Sequence, residues 1–541
     1  MAQDAETAPS AAPGGLSHRQ ILVLMSGLLL GMFLAALDQT IVSTAMRTIA
    51  DKLNGQTAQA WVTTAYLVTS TVSTPLYGKL SDLYGRKPFY LFAIATFLVG
   101  SVLCGQAHSI YELAVYRAIQ GLGAGGLLSL AFAIVGDLIA PRERARYQAY
   151  FTSVFATSSV LGPVAGGFFA GQGTLLGIDG WRWIFFLNIP IGIAAFFVVS
   201  RNLQLPVVRK QHRIDYLGAL LLVSTVIPVL LLAEKGREWG WTSGVSLGLI
   251  ALAVLSFVGF LPRERSVGED AILPLRIFRD KVFSVTSVVG FLVGMAMFGS
   301  LVLLPLYLQI VKAQSPTRAG LMMTPFMAGL MGASLTTGRI MRHTGRYKVF
   351  PIVGTAVMFV GMLLFSTLGV DTPIPQVMTY MVVFGIGLGL TMQTLVIAIQ
   401  NALPPQDMGL STSSITFFRS MGGTFGAAVS LAVLFGSLRG HILDRAEAAH
   451  FPPLALKAIR TVSLDNTGNF NGLPAQAKRV ILQGFADSMH GVFITVACVI
   501  VPAFFLTFFI TERPLRQHGG LESQAGMSEE GERRMAETAV L

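Results

Sequence analysis

Residues 78–87 read Gly-Lys-Leu-Ser-Asp-Leu-Tyr-Gly-Arg-Lys and join two apolar stretches, 58–78 and 88–107. A similar segment, residues 338–346, reads Gly-Arg-Ile-Met-Arg-His-Thr-Gly-Arg. In both segments six residues separate two glycines, and arginine follows the second glycine. The pair predicts an internal repeat, in which a short cytoplasmic loop with glycine at both bends holds two helix ends together in each half. Two unrelated basic loops are the alternative.

Apolar residues dominate the rest of the chain. Of its 541 residues, 53% are hydrophobic and only 12% are charged, and the mean hydropathy is +0.63. A soluble domain has about a quarter charged residues, and a disordered chain needs low hydrophobicity and high charge. Two cysteines are too few for a disulfide-stabilised secreted scaffold. We therefore expect an integral membrane protein.

A helix needs about 20 apolar residues to cross the hydrocarbon core of a bilayer. Fourteen stretches of about this length are present. The predicted spans are 21–46, 58–78, 88–107, 110–138, 146–171, 181–200, 215–233, 243–261, 282–311, 317–338, 349–369, 376–402, 409–437 and 485–511. The first is too long for a cleaved signal peptide and contains Asp38.

The basic residues predict the orientation. Lys and Arg collect in the cytoplasmic loops of membrane proteins, and most of the 39 fall on the side that holds both termini. Both termini are therefore expected in the cytoplasm. The net charge of +11 has the same origin, so we expect no nucleic-acid partner.

The repeat and the spans together predict an all-α fold with two pseudo-symmetric six-helix bundles and two inserted helices. The expected parts are a disordered tail, 1–17; an N-terminal bundle, 18–205; the inserted pair, 206–265; a C-terminal bundle, 266–511, with an extracellular loop, 438–484; and a cytoplasmic tail, 512–541. Within that loop, Ala446–Ile459 has a helical pattern suited to the membrane surface. Parallel halves of this kind are a transporter architecture with the substrate site between them.

Four further segments lie on the spans in a definite order. They are Leu37-Asp38-Gln-Thr40-Ile-Val-Ser43, Arg117-Ala-Ile-Gln120-Gly121-Leu-Gly-Ala-Gly125, Gly162-Pro163-Val-Ala-Gly166-Gly167 and Trp181-Arg182-Trp183-Ile-Phe-Phe-Leu-Asn188-Ile-Pro190-Ile-Gly192. With residues 78–87, they make the chain from about 20 to 511 resemble the major facilitator superfamily, and within it the fourteen-helix drug:proton antiporter group. Residues 78–87 are similar to motif A of that superfamily, and the second and third segments to its motifs B and C.

Three residues depart from the resemblance. Ser43 and Arg47 stand where the group usually has Asn and Pro, at the outer end of the first helix. Arg342 stands in the second repeat where motif A has Asp82. The charge relay of motif A is therefore expected to be degenerate in the second half.

Asp38 is the candidate proton-coupling residue. A carboxylate deep in a span costs several kcal/mol, and desolvation favours its protonated form. A structural carboxylate paired within the bundle is the alternative. Arg117 is its natural partner, since arginine stays charged in proteins. The resemblance to motif B implies a role for Arg117 in proton coupling.

The resemblance also implies a cytoplasmic gate, which motif A and the acid at the end of the fourth span hold closed when the carrier faces outward. Asp82 and Arg86 are four residues apart, a spacing at which opposite charges meet on a helix. The expected gate residues are Gly78, Asp82, Gly85, Arg86 and Asp137. Interfacial anchoring is the alternative.

The antiporter motif has small residues and a proline within a helix. Glycines let helices approach closely, and proline bends a helix. By resemblance to motif C, we expect Gly162, Pro163, Gly166 and Gly167 to form a close, leak-proof contact with the eighth span or its counterpart. Generic small-residue packing is the alternative.

Aromatic, Met and Gln side chains on the spans are candidates for the substrate cavity. They are Tyr66, Phe155, Met295, Phe298, Tyr307, Gln309 and Gln393, with plain packing as the alternative for each. Arg419 either faces the cavity, where it could bind anionic groups, or extends to an interface. A single acid within the spans predicts about one proton per cycle and a neutral or monovalent amphipathic cargo.

The leading prediction is a proton-coupled antiporter that exports amphipathic drugs or dyes by alternating access. An exporter or flippase of a lipid or native metabolite is an open alternative. A channel, a sensor or a membrane-embedded enzyme is disfavoured, because clustered His, Asp or Ser near an interface is lacking. No phosphate loop or metal-ligand spacing is present, so we expect no cofactor beyond the coupling proton. We expect a multi-pass monomer in contact with membrane lipid, in a bacterial plasma membrane by resemblance.

Overall fold

The protein has a helix at each of the fourteen predicted positions. The structure, a computed structural model, describes residues 18–54, 59–139, 141–203, 215–268, 271, 273–404, 407–451 and 474–515. Its long helices are α1 (His18–Lys52), α2 (Gln59–Tyr84), α3 (Arg86–Gln106), α4 (Ile110–Leu138), α5 (Pro141–Gly171), α6 (Gly180–Asn202), α7 (Tyr216–Trp239), α8 (Gly244–Val267), α9 (Lys281–Val311), α10 (Thr324–Thr344), α11 (Val349–Ser366), α12 (Ile374–Ala402), α13 (Met408–Ala448) and α14 (Ala475–Phe508).

Three of these segments are not uniform α-helices. Segment α6 begins with a 3-10 turn, Gly180–Arg182, and a short helix, Trp183–Phe186. Segment α9 ends in a π-turn, Tyr307–Val311, directly after Pro305, which has no backbone N–H to donate. A short helix, Pro316–Leu321, precedes α10.

Among the described residues, twelve helices are long and apolar enough to cross a membrane. Helix α2 is not one of them, since it is rich in Thr and Ser and ends in Lys79, Asp82 and other polar residues. In α7 the apolar part, Tyr216–Leu232, falls short of a full span. The count of fourteen crossings therefore stays a prediction.

Local sequence explains where many helices begin and end. Ser109, Asp215, Ser243 and Asp280 precede α4, α7, α8 and α9, and each accepts a hydrogen bond from a backbone N–H of the first turn. Helices α2, α7, α8 and α10 are followed by glycines with positive φ, a conformation that glycine adopts without strain. These glycines are Gly85, Gly240, Gly268 and Gly345.

The two halves pack in the same pattern. Helix α1 packs against α4, α5 and α6, and α9 packs against α12, α13 and α14 in the same way. Helices α2 and α3 pack on α4, as α10 and α11 pack on α12. The pairs α3–α6 and α11–α14 complete the correspondence. The internal repeat of six helices predicted from the sequence is therefore confirmed.

A constant spacing in the chain relates the two copies. Gly162 and Gly166 on α5 lie 260 residues before Gly422 and Gly426 on α13, the spacing that also separates residues 78–87 from the second repeat. Both glycine pairs lie against the first helix of their own half, because an added Cβ would meet α1 residues in one case and α9 residues in the other.

The repeat segments themselves differ from the prediction of a short loop with glycine at both bends. Helix α2 continues through the first segment to Tyr84, so Gly78 is a buried helical residue. Only Gly85, with φ 99°, makes the bend to α3. In the second copy Gly338 likewise lies inside α10, and Gly345, with φ 69°, makes the bend. One glycine per copy is enough to reverse the chain.

The inserted pair α7–α8 packs across the junction between the halves. Helix α7 contacts both α2 and α13. Val72 of α2, Leu230 of α7 and Phe417 of α13 belong to one buried apolar cluster. At one end of the pair, Arg263 donates two hydrogen bonds to the buried carboxylate of Asp215, at 2.8 and 2.9 Å. The inserted pair thus lies against one specific seam between the two halves.

The predicted extracellular loop 438–484 is shorter than expected. Helix α13 continues to Ala448 and α14 begins at Ala475, and Arg445 and Asp487 form a two-point ion pair between the extended helices. Residues 452–473, with most of the predicted surface helix Ala446–Ile459, lie outside the described residues. So do the predicted tail 1–17 and residues 516–541.

A glycine on α13 permits the closest approach of α9 and α13. A Cβ at Gly426 would collide with the backbone of Met295, whereas a Cβ at Gly436 on the same helix would meet nothing within 4 Å. We expect Gly426→Ala to lower the stability of the purified protein by about 1–3 kcal/mol, the usual cost of overpacking. Gly436→Ala should leave it unchanged. Thermal unfolding in detergent measures both, and equal melting temperatures would contradict the packing described here.

Candidate functional site

A fully buried carboxylate lies at the centre of the N-terminal half. Asp38 of α1 is 0% exposed. Its Oδ1 accepts hydrogen bonds from Gln120 Nε2 at 2.9 Å and Asn188 Nδ2 at 2.8 Å. Its Oδ2 is paired with Nη1 of Arg117, which is 2% exposed. The sequence prediction that Arg117 is the partner of Asp38 therefore agrees with the geometry.

The guanidinium of Arg117 is held on several sides. Its Nη1 also donates to Gln120 Oε1 at 2.7 Å, and its Cζ lies 4.0 Å from the ring centroid of Tyr66. A cation over an aromatic face is stabilised by the ring quadrupole. In the described part of the chain, Arg117 Nε has no hydrogen-bond partner. Arginine is thus fixed opposite Asp38 by contacts that do not depend on the charge of Asp38.

A second layer of contacts orients the two amides. Gln120 Nε2 donates to Ser101 Oγ on α3 at 2.7 Å, and Asn188 Nδ2 lies 3.3 Å from the same oxygen. Asn188 stands where α6 restarts after its irregular first turns. Pro190 favours this restart, because it has no N–H for the preceding turn and is tolerated in the first turn of a helix.

The net charge of this cluster depends on whether Asp38 is ionised. With Asp38 ionised, Asp38 and Arg117 compensate one another and all three donors have an acceptor. With Asp38 protonated, the cluster has one uncompensated positive charge and the ion pair is lost. A single proton therefore changes the forces that hold α1 against α4 and α6.

The predicted site residues did not include Gln120, Asn188 or Ser101. Gln120 and Asn188 lie in segments that the resemblance singled out, but no role was assigned to them. Both are amides within apolar stretches, and a buried amide needs hydrogen-bond partners. That pattern could have indicated them; Ser101 gives no such signal, because a serine hydroxyl can bond to its own helix.

A second ionic cluster lies at the cytoplasmic end of the N-terminal half. Arg86 Nε donates to Asp137 Oδ2 at 2.7 Å, and Arg86 Nη1 donates to Ser81 Oγ at 2.6 Å. Asp82 also forms an ion pair with Arg86, at the predicted spacing of four residues. The three residues expected to form a relay are therefore in contact.

Asp82 connects the two halves. Its Oδ2 accepts a hydrogen bond from the backbone N of Leu410 at 2.9 Å, in the first turn of α13. The N-terminus of a helix has unpaired N–H groups and a partial positive charge, so a carboxylate there is stabilising. One carboxylate thus bonds to Arg86 in its own half and caps a helix of the other half.

The second copy differs in sequence at the corresponding position. Arg342 stands in place of Asp82 and is exposed. The nearby bend is instead held by the chain after α14, where Glu512 Oε1 accepts from Tyr347 N at 2.9 Å. Arg513 of the same segment donates to Asp280 at 2.7 Å. The loss of the motif A relay in this half stays a prediction.

The antiporter motif contacts two partners on two faces of α5. A Cβ at Gly162 or Gly166 would collide with Thr40 or Ile41 of α1, within the same half. Pro163 instead lies against Gly320, in the short helix before α10. Gly162 and Gly166 therefore pack against α1. This differs from the expectation that the whole motif contacts the eighth span or its counterpart. Helix α5 also packs against α10, the tenth span, which is the counterpart of the expected partner in the second half, and Pro163 lies on this side of α5.

The candidate cavity residues do not share one environment. Tyr307 is fully buried and its hydroxyl donates to the Gly369 carbonyl at 2.9 Å, so it has no surface towards a cavity. Gln309, in the π-turn, is exposed. Tyr66 is buried under Arg117, and Gln393 is buried in α12. The partly buried candidates are Phe155, Met295, Phe298 and Arg419.

The contact between Asp82 and Leu410 is expected to favour a closed cytoplasmic side. A hydrogen bond to a charged group contributes about 1.5–3 kcal/mol, so Asp82→Ala should shift the equilibrium towards the open cytoplasmic side at least about tenfold. Spin labels at the exposed residues Tyr84 and Thr344, with Cys104 and Cys498 replaced, would measure the distance between the halves. Longer distances should gain population.

The matched control is Asp179→Ala, which removes an acid that is paired with Arg182 on the outer side. It should leave the cytoplasmic distances unchanged. An identical distance distribution in Asp82→Ala and the unmodified protein would show that this contact does not hold the halves together.

The chain is similar to known transporters over most of its length. A family model described as Major Facilitator Superfamily matches residues 28–427. The Multidrug transporter protein MdtP of Bacillus subtilis is 33% identical over 92% of this chain and 94% of its own. Multidrug resistance protein 3 of the same organism is 34% identical over 77% of this chain and 79% of its own.

Solved structures agree on the fold. The proton:xylose symporter XylE matches with a TM-score of 0.60 at 14% identity, over 94% of this chain and 99% of its own. A bacterial homologue of the human lysosomal transporter Spinster, in an inward-facing conformation, matches with a TM-score of 0.59 at 15% identity, over 92% and 98% of the two chains. The helical repeat, the family match and the relatives point the same way: the chain is a membrane transporter, not an enzyme, and belongs to the Major Facilitator Superfamily.

Proposed function

We propose that the protein exports amphipathic drugs or dyes in exchange for protons, from the cytoplasm across a bacterial plasma membrane. The observation that carries the proposal is the buried Asp38, with its three donors Arg117, Gln120 and Asn188. The two Bacillus subtilis relatives are multidrug proteins by name, and they support a drug as cargo. The coupling ion is the proton, and no other cofactor takes part.

Proton binding and conformational change are linked through Asp38. When the cavity faces outward, where protons are abundant, Asp38 takes up a proton and its ion pair with Arg117 is lost. When the cavity faces the cytoplasm, the fixed charge of Arg117 favours release of the proton and re-forms the pair. The cargo binds when the cavity faces the cytoplasm and leaves when the cavity faces outward.

The two ends of the molecule provide the gates. At the cytoplasmic end, Asp82 joins α2 to α13. In the outer half, Pro163 of α5 meets Gly320. Alternating access breaks one contact while it keeps the other, as the two six-helix halves rock about the cavity.

Ethidium accumulation in bacterial cells without their own pumps tests the proposal. Cells that express the protein should accumulate less ethidium than cells with an empty vector, and a protonophore should abolish the difference. If the protein is well expressed and the difference is absent, ethidium is excluded as a cargo. Lipid extraction from proteoliposomes is then the next measurement.

A further inference from the structure

An arginine without a partner lies in the C-terminal half. Arg419 comes eleven residues after the start of α13, which places it about 16 Å along the helix, deep within the span. In the part of the chain that the structure describes, no hydrogen bond or ion pair holds its side chain, which is partly exposed. Arg117 of α4, by contrast, has an acid, an amide and an aromatic ring around it.

The helix face of Arg419 is turned towards the inside of the bundle. Thr412 lies two turns earlier on nearly the same face, and its Oγ1 accepts a hydrogen bond from Gln400 of α12 at 2.7 Å. The backbone of Arg419 packs against Gly294 of α9. Since α12 and α13 run antiparallel, Gln393 lies two turns from Gln400 at the depth of Arg419. The exposed part of Arg419 therefore opens onto space inside the transporter, not onto lipid.

No acid of the described C-terminal half lies beside Arg419, since Asp444 of α13 is 25 residues further along the helix and Asp487 of α14 pairs with Arg445. Arginine does not lose its proton in proteins, and an unpaired charge within a span is costly. Helices α9, α10, α11 and α12 contain neither Asp nor Glu. Asp38 is already occupied by Arg117. Among the described residues no acid is placed to neutralise Arg419, so a group from outside the chain can do so.

We propose that Arg419 binds an anionic group of the cargo, so that the preferred substrates are amphipathic organic monoanions. The proposal rests on the proposed function, which supplies the transport cycle. A lone acid in the cavity would favour a positively charged cargo, whereas Arg419 favours a negatively charged one. The sulfonate or carboxylate of the cargo pairs with the guanidinium in a charge-assisted, two-point contact. Its apolar part lies against the aromatic and Met side chains nearby. Proton exchange remains at Asp38, in the other half.

Binding of three probes to the purified protein tests the inference. The probes are taurocholate, a monoanion at every working pH, chloramphenicol, which is neutral, and ethidium, a cation. Taurocholate is kept below its micellar concentration, and equilibrium dialysis with radiolabelled taurocholate and chloramphenicol, together with ethidium fluorescence, gives the affinities. Arg419→Gln should weaken taurocholate binding at least about tenfold and leave chloramphenicol binding unchanged, whereas Arg419→Lys should retain most of the taurocholate affinity.

The control is Arg439→Gln, at an exposed position further along α13, which should change none of the three affinities. A normal elution profile and melting temperature establish that each variant is folded. The inference is overturned if taurocholate does not bind while chloramphenicol or ethidium does, or if Arg419→Gln keeps its affinity for taurocholate. If none of the three binds, and ethidium is not exported from cells either, the proposed function fails together with the inference.

Discussion

Asp38→Asn is expected to reduce proton-driven export to the level of cells without the protein. Asparagine has nearly the shape of the protonated acid but cannot release a proton, so the cycle loses its titrating group. The purified variant should still bind its cargo, because Asp38 is 0% exposed and has its contacts with Arg117, Gln120 and Asn188. Cargo-induced proton release, followed with a pH indicator in weakly buffered detergent solution, should disappear.

A matched variant separates proton coupling from a general effect of losing an acid. Asp371→Asn removes a carboxylate that is 80% exposed and pairs with Arg479 on the surface. Its export and proton release should be those of the unmodified protein. If Asp38→Asn exports normally with an intact proton gradient, Asp38 is not the coupling residue, although membership of the family is unaffected.

Arg117→Gln is expected to destabilise the protein by about 3–5 kcal/mol, since it leaves an ionised carboxylate buried without its charge partner. The melting temperature in detergent should fall strongly. The double variant Asp38→Asn/Arg117→Gln should recover most of the loss, because neither charge then remains.

The control for this cycle is the exposed pair Arg479 and Asp371, whose nitrogen and oxygen are 3.2 Å apart. Arg479→Gln should change the stability by less than about 1 kcal/mol, the usual range for a surface ion pair. Additive effects of Asp38→Asn and Arg117→Gln would show that the pair does not act as a unit.

The sequence predicts the helices well because length and hydropathy decide them. An apolar stretch of about 20 residues must have its backbone hydrogen bonds satisfied within a helix, and all fourteen stretches do. Where polar residues stand at the end of a helix, hydropathy places the end of the helix too early. Lys79, Ser81 and Asp82 indicate a loop, but only Gly85 breaks the helix, because only there does the backbone need a positive φ.

The candidate site was partly predictable. Asp38 and Arg117 stand out because an ionisable residue within a span needs a partner. As an amide within an apolar stretch, Asn188 could have been expected to need a partner, but the identity of that partner, and the part that Ser101 plays, follow only from the crossing of α6 and α3 beside α1. The partner of Asp82 is a backbone N–H of Leu410, and a backbone donor has no sequence signature at all.

Helices α7 and α8 have a consequence for the solvent in which the transporter works. They cover the seam between α2 and α13, where acyl chains would otherwise lie against the moving helices. When the halves rock, α2 and α13 slide at this seam against a surface of fixed thickness and fixed composition, whereas a bilayer differs in both from one membrane to another. At this seam the protein thus contributes part of its own boundary layer, so we expect the work of the proposed transport cycle there to depend little on the surrounding lipids.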